Sequence, residues 1–195
     1  MANLLLASAS PRRKELLDQI GVNYIACAMD IDESVLSNES ATDYVKRLAL
    51  EKAKQGLAYG KGLPVLAADT SVVVDGNILG KPQSSDDAIS MLTMLSGRKH
   101  QVITGVALMY NTGSNQQIES ASIVTDVYFL ELTQQQIKLY VATQEPMDKA
   151  GGYGIQGKAA VFVRRIEGSY SNVVGLPLEQ IGMMFHRFNI PIWSA

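Results

Sequence analysis

The 195-residue chain has one cysteine, Cys27, and two histidines, His100 and His186. A lone cysteine excludes an intrachain disulfide framework, and with so few nitrogen and sulfur ligands a Cys/His zinc site cannot be assembled. Any metal must therefore sit on oxygen. An excess of positive charge is missing too. The 17 Lys plus Arg face 19 Asp plus Glu, a net of −2, so no global positive field draws the chain to nucleic acid. Long apolar runs are absent. The start, Leu4-Leu5-Leu6-Ala7, is too short for a signal-peptide core and is followed by Arg12, Arg13 and Lys14. Nothing approaches the roughly 18 apolar residues of a membrane span. The expectation is a cytoplasmic protein without membrane attachment or stable nucleic-acid binding. No internal repeat, low-complexity tract or Pro/Ser-rich linker interrupts the chain, so residues 1–195 read as one continuous domain, and 47% hydrophobic content suits a sizeable core.

What is present alternates strand and helix signals. Residues 3–7 form an apolar run leading into Ser10-Pro11, after which Leu16, Leu17 and Ile20 recur at helical spacing until Gly21. Asn23 to Ala28 reads as a second strand, and Ala41 to Tyr59 as a helix capped by Ser40 or Thr42 and closed by Gly60. Leu63 to Ala68 is an apolar strand ending at Asp69, and Ser71 to Asp75 enters a hairpin turn at Gly76-Asn77. A helix over Asp86–Leu95, long strands over Gln101–Tyr110 and Ile118–Phe129, and a helix from Thr133 to Ala142 follow. Val161–Ile166 and Ser171–Val174 read as a hairpin across Gly168, and Pro177 opens a last helix. This mixed alternation indicates α/β or α+β.

Six places carry chemistry. Ser8-Ala9-Ser10-Pro11-Arg12-Arg13 puts a serine at a helix N-cap and two cations in the first turn, where they oppose the dipole by ~0.3–1 kcal/mol each. Either the start is simply solvated, or the amides, hydroxyls and guanidinium forks hold a phosphate. On the 41–59 helix, Val45, Leu48, Ala49, Ala53 and Gly56 form one stripe with Lys52 in its middle, while Lys46, Arg47, Glu51 and Lys54 lie on a solvated face. A lysine so placed snorkels out or reaches a buried anion. If it reaches a functional anion, Lys52→Met should preserve or raise Tm while lowering activity by one or more orders of magnitude, because the buried charge is removed but the face still packs. Asp69 presents its carboxylate at the end of a strand, as a ligand or as a turn aspartate bonding its own backbone. The Asp30-Ile31-Asp32-Glu33 loop offers three carboxylates, an oxygen metal source or an ordinary acidic loop. Lys81, between Gly80 and Pro82, reads alone as a solvated turn charge. Residues 150–157, AGGYGIQG, hold four glycines that let the backbone approach a flat ligand, with Gln156 able to read a base edge. The segment fits neither a phosphate loop nor a dinucleotide fingerprint.

Taken together, the S-x-S-P-R-R near the start, A-D-T after an apolar strand, G-K-P after the hairpin, D-K-A-G-x-Y-G-I-Q-G, and V-V-G-L-P before the last helix resemble the Maf family of house-cleaning nucleotide pyrophosphatases. The resemblance covers nearly the whole chain. It implies an α/β fold similar to the inosine triphosphate pyrophosphatases, with a mixed central sheet flanked by helices, two lobes and a nucleotide cleft. It also implies hydrolysis of a nucleoside triphosphate to monophosphate and pyrophosphate. Asp69 is then the proton acceptor, with Glu33, Lys52 and Lys81 beside it and Ser8 and Arg13 near the phosphates. Arg12, Thr70 and Gln156 match the branch acting on dTTP and UTP; the branch resembling 7-methyl-GTP pyrophosphatases carries an aromatic, a glutamine and a glutamate at those places.

An aspartate of ordinary pKa ~3.9 is too weak to ionise bulk water at ~15.7, so a divalent cation, Mg²⁺ or Mn²⁺, is expected on Glu33 and Asp69. A homodimer is the expected assembly. The rival expectations are a nucleotide-sensing regulator of septum formation without turnover, and a purine-type house-cleaning pyrophosphatase.

Overall fold

The computed structural model describes residues 2–60, 62–113 and 115–193. Among them seven strands form one mixed sheet in the order β2-β1-β3-β5-β6-β7, with β4 paired to β3. The strands are β1 (Leu4–Leu6), β2 (Tyr24–Ala26), β3 (Val65–Val74), β4 (Asn77–Leu79), β5 (Lys99–Thr112), β6 (Asn115–Phe129) and β7 (Val163–Glu167). The helices are α1 (Pro11–Gln19), α2 (Ala41–Gly56), α3 (Ser85–Leu95), α4 (Gln134–Ala142), α5 (Tyr170–Val174) and α6 (Leu178–Arg187). β1 runs parallel to both β2 and β3, whereas β3–β4 and β6–β7 are antiparallel. The mixed α/β expectation therefore holds. The chain divides into two compact units, one of residues 1–69, 104–123 and 175–195, the other of residues 70–103 and 124–174.

In the first unit α2 forms because its apolar residues recur at helical spacing and Ser40 accepts the Asp43 amide at the N-cap. Its buried face is Val45, Leu48, Ala49, Lys52, Ala53 and Gly56, the stripe read from the sequence. Ala49 and Ala53 pack on Leu5, Ala7, Val65, Ala67, Ala107 and Met109. Val45 and Leu48 are fully buried as well, each worth about 1.5–3 kcal/mol. The approach is close enough to need glycine: a Cβ on Gly105 of β5 would overlap the Val45 carbonyl, and one on Gly56 would lie 2.6 Å from a Val65 methyl.

The second unit is built on α3 and α4, whose Leu92, Leu95, Ile137 and Val141 join Phe129, Tyr140, Tyr153 and Phe162 in one core. His100, only 2% exposed, stands in this core with its ring edge-on to Phe129 and Tyr153. Burial lowers its pKa to about 4, against a smaller upward pull from Asp126. Above the ordinary value of 6.5 the ring is neutral folded or unfolded. As the pH falls from 6.5 towards 4, only the unfolded chain takes the proton, so folding stability declines by up to about 3 kcal/mol. Denaturant melts at pH 7.5 and 4.5 should show wild type losing more stability than His100→Gln. Equal losses would mean that His100 does not titrate in this window.

Three sequence expectations are corrected. β3 does not stop at Asp69 but continues to Val74: β1 pairs with Val65 and Leu66, β4 with Val72 to Val74, and β5 is a further neighbour, so sheet pairing overrides the break that the Asp-Thr-Ser composition suggests. Asp69 and Thr70 are the two residues of this strand that escape burial. Residues 171–174 are not a strand: Tyr170–Val174 is the short helix α5, and β7 pairs with β6 instead. The Asn172 amide donates to the Val102 carbonyl and the Thr125 hydroxyl, and the Ser169 hydroxyl accepts the Asn172 N–H. Finally, α2 ends at Gly56, three residues earlier than read.

Candidate functional site

Two segments of the first unit bring carboxylates to one ammonium. Lys52 Nζ lies 2.6 Å from Glu33 Oε1 and 2.7 Å from Asp69 Oδ1. Its side chain is 11% exposed, as against 13% for Asp69 and 52% for Glu33. The choice left open by the helical stripe is thus resolved: Lys52 does not snorkel but meets the protein's own anions. Asp69 reaches it from β3, and Glu33 from the acidic loop.

That loop is held by α2 through its backbone. Gln55 donates to the Asp30 carbonyl at 3.0 Å, Tyr44 to the Glu33 carbonyl at 2.7 Å, and Arg47 to the Ser34 carbonyl at 2.9 Å. Arg47 also forks onto both oxygens of Glu39, whose carboxyl is held down to about 2 chiefly by those bonds. Its assignment to a merely solvated face is corrected. Of the three carboxylates offered by the loop, Glu33 is the one paired with Lys52; Asp32 instead accepts the Ser34 amide in a local turn. The Tyr44 hydroxyl is pushed up to about 12, by burial first and then by the charges of Asp69 and Glu33. Sequence reasoning missed Tyr44 and the Arg47 clamp. The Arg47–Glu51 spacing was visible, but contacts reaching back across a helix N-cap leave no periodic signal.

At the start of α1, Ser10 occupies the N-cap position without a side-chain capping bond, and Pro11 follows it at the first helical position. The Ser8 hydroxyl, buried, accepts from the Ser10 amide at 3.2 Å and from Arg13 Nη1 at 3.1 Å, and Arg13 Nε donates to the Gly175 carbonyl at 2.8 Å. Arg13 is therefore fixed, not waving in solvent. Its pKa is lowered first by burial; Asp69 pulls it back up, Arg12 down and Glu33 up, so these charges share one field. Arg12, Arg13 and Lys52 set three cations against two carboxylates, an environment suited to a polyanion.

Of the remaining sequence candidates, Thr70 follows Asp69 in β3 and is half-buried. Lys81 and Gln156 belong to the second unit, and both are exposed. Their loops are joined: the Gly151 amide donates to the Gly80 carbonyl at 3.0 Å. Gly151 has φ +66, and a Cβ there would meet Val72 at 2.8 Å, so only glycine takes this seat.

In chemistry the donor set suits a hard cation: Glu33 and Asp69 bring two carboxylates to the Lys52 ammonium, and Mg²⁺ uses one or two carboxylates, with waters and substrate phosphates completing its shell. Among the described residues no cluster of three or more Asp, Glu, His or Cys is placed to hold a metal, so a closed protein cage is not what this site offers.

A mixed sheet with flanking helices places the chain in a known architectural class. The structure of a HAM1 protein from Coxiella burnetii matches it with TM-score 0.50 and 19% identity, over 96% of this chain and 100% of that one, a likeness of fold. The family is narrower: the chain belongs to the Maf-like proteins, matched over residues 3–188. It is 50% identical over 190 residues to the dTTP/UTP pyrophosphatase of Escherichia coli K12, covering 97% of this chain and 94% of that protein. It is 47% identical over 195 residues to the dTTP/UTP pyrophosphatase of Symbiobacterium thermophilum, covering 100% and 98%. Among the described residues no helix is long and apolar enough to cross a membrane.

Proposed function

We propose that the chain is a nucleoside triphosphate pyrophosphatase that cuts dTTP and UTP to the monophosphate and pyrophosphate in the cytoplasm, with Mg²⁺ or Mn²⁺. The observation that carries this reading is the convergence of Glu33 and Asp69 on Lys52, in one field with Arg12 and Arg13. Relatives bearing the dTTP/UTP name at 47–50% identity over nearly full length support the substrate class.

Asp69 orients the attacking water and accepts its proton. Lys52 and Arg13, already fixed by Asp69, Glu33, Ser8 and Gly175, offset charge developing on the phosphates without reorganising during the reaction. Arg12 and Lys81 add to that neutralisation, and the Ser8 hydroxyl orients Arg13. Glu33 and Asp69 would hold the cation, which when bound would supply acidification of a water and extra positive charge for the phosphates. Pyrimidine choice rests on Arg12, Thr70 and Gln156, since identical triphosphates cannot be told apart by the phosphate ligands.

A panel of nucleoside triphosphates with Mg²⁺ or Mn²⁺, reading pyrophosphate and orthophosphate separately, tests this. Pyrophosphate should appear from UTP and dTTP at rates within a modest factor of each other, with GTP and ATP strongly rejected. Gln156→Glu should lower kcat/KM for UTP and dTTP and leave Tm unchanged, because a carboxylate cannot donate to a pyrimidine carbonyl. Orthophosphate release, or affinity without turnover, would overturn the assignment.

A further inference from the structure

We infer that His100 is a positioning residue: through Tyr153 it seats the glycine-rich segment 150–157, and through the Gly151–Gly80 bond it fixes the loop that carries Lys81. The inference rests on the reading above, in which Lys81 and Gln156 act on the nucleotide.

His100 Nε2 and the Tyr153 hydroxyl share a hydrogen bond of 2.7 Å, and both side chains are buried. The other ring nitrogen, Nδ1, has no partner among the described residues, so the polar work of this imidazole is directed at Tyr153. A phenylalanine at position 100 would stack equally well on Phe129 and Tyr153, whose rings lie edge-on at 4.8 and 5.4 Å. It would leave the Tyr153 hydroxyl buried without this partner. The imidazole therefore chooses where Tyr153 stands.

Further anchors make that choice propagate. The Gly154 amide donates to the Tyr140 hydroxyl, which donates to Glu145 Oε1, and Glu145 Oε2 accepts the Lys158 amide. Gly151 has no space for a Cβ against Val72, and its amide holds Gly80. Between these points the exposed turn containing Gln156 has little slack. Removing the His100–Tyr153 bond frees the middle of the segment, and the Lys81 loop tied to it.

Four full-length variants test this: His100→Leu, Tyr153→Phe, the double substitution, and His100→Gln, whose amide can still meet the Tyr153 hydroxyl. Tyr153→Phe keeps every ring contact, so it serves if His100→Leu does not fold. The first readout is amide hydrogen exchange, which needs no turnover. His100→Leu and Tyr153→Phe should each speed exchange at residues 150–157 and 80–81 by fivefold or more, with α2 unaffected. The second is steady-state hydrolysis of UTP, where KM should rise about tenfold and kcat change less than threefold. The double variant should be no worse than the worse single, and His100→Gln should recover most of the loss. Unchanged exchange in the singles, or additive effects in the double, would overturn the inference. If wild type failed to hydrolyse pyrimidine triphosphates, the functional reading would fall, while the exchange data would still decide the seating.

Discussion

Asp69→Asn should lower kcat for UTP by about three orders of magnitude and leave the fold intact. The substitution keeps the shape of the side chain, and an amide oxygen can still accept from Lys52 Nζ at the place where Oδ1 now lies 2.7 Å away. What disappears is the capacity to take a proton and one of the two negative charges facing the ammonium. A positioned general base contributes roughly 10²–10⁴ in rate, and loss of a carboxylate that also holds the cation moves the effect above the low end of that range. Melting curves should agree with wild type to within about 1 kcal/mol, since the amide oxygen still accepts from Lys52 and the ammonium keeps Glu33 as its ion-pair partner. Retention of more than a tenth of the wild-type kcat would transfer the role of base to Glu33.

Lys52→Met should reduce both activity and stability. As a lone charge in an apolar stripe the lysine looks expendable, which is why its sequence context points to an unchanged or higher Tm. The geometry reverses the sign. Methionine would pack among Leu48, Ala49, Ala53 and Gly56, but two carboxylates converging on one point would lose the cation between them. Breaking a buried pair by removing one member costs about 3–5 kcal/mol; the half-exposed Glu33 can turn to water, which brings the expected loss to about 2 kcal/mol, or roughly 4–8 °C in Tm for a chain of this size. kcat/KM should fall by about 10²–10³, because a preorganised cation facing the phosphates is gone. Thermal melts and UTP kinetics on the same preparation check both halves. An unchanged Tm would mean that the two carboxylates relax apart at no cost.

Much of this was legible in the residues. The stripe of α2 was read in full because a helix repeats its face every three or four residues, and one lysine in such a stripe is an anomaly visible without coordinates. The identity of its partners was not, since Glu33 and Asp69 come from 19 and 17 positions away through segments that carry no period of their own. Asp69 is singled out by its place after an apolar run, yet placed at a strand end, because aspartate and threonine after two alanines look like a boundary. Strand pairing before and after them, with β5 alongside, overrides local preference and keeps β3 continuous. The short helix α5 was misread for the opposite reason: Val173 and Val174 favour a strand, but the buried Asn172 amide finds acceptors on β5 and β6 and fixes a helical turn. The family resemblance supplied roles for Lys81 and Gln156 that composition alone could not, whereas the bond joining their loops is tertiary and silent in sequence.

The bare Cα–H of Gly105 beneath the Val45 carbonyl, with Gly56 against Val65 at the far end of the helix, acts as a pair of spacers that sets the height of α2 above the sheet. Lys52 stands between those two points, so the reach of its ammonium to Asp69 is a length measured out by missing methyl groups. One added carbon at position 105 would force the helix away from the sheet, and a 2.7 Å ion pair has less tolerance for such a lift than a hydrophobic interface several residues wide. Alignment of charge would suffer before packing did. The reach of a charge in this chain is therefore set by positions that carry no side chain at all.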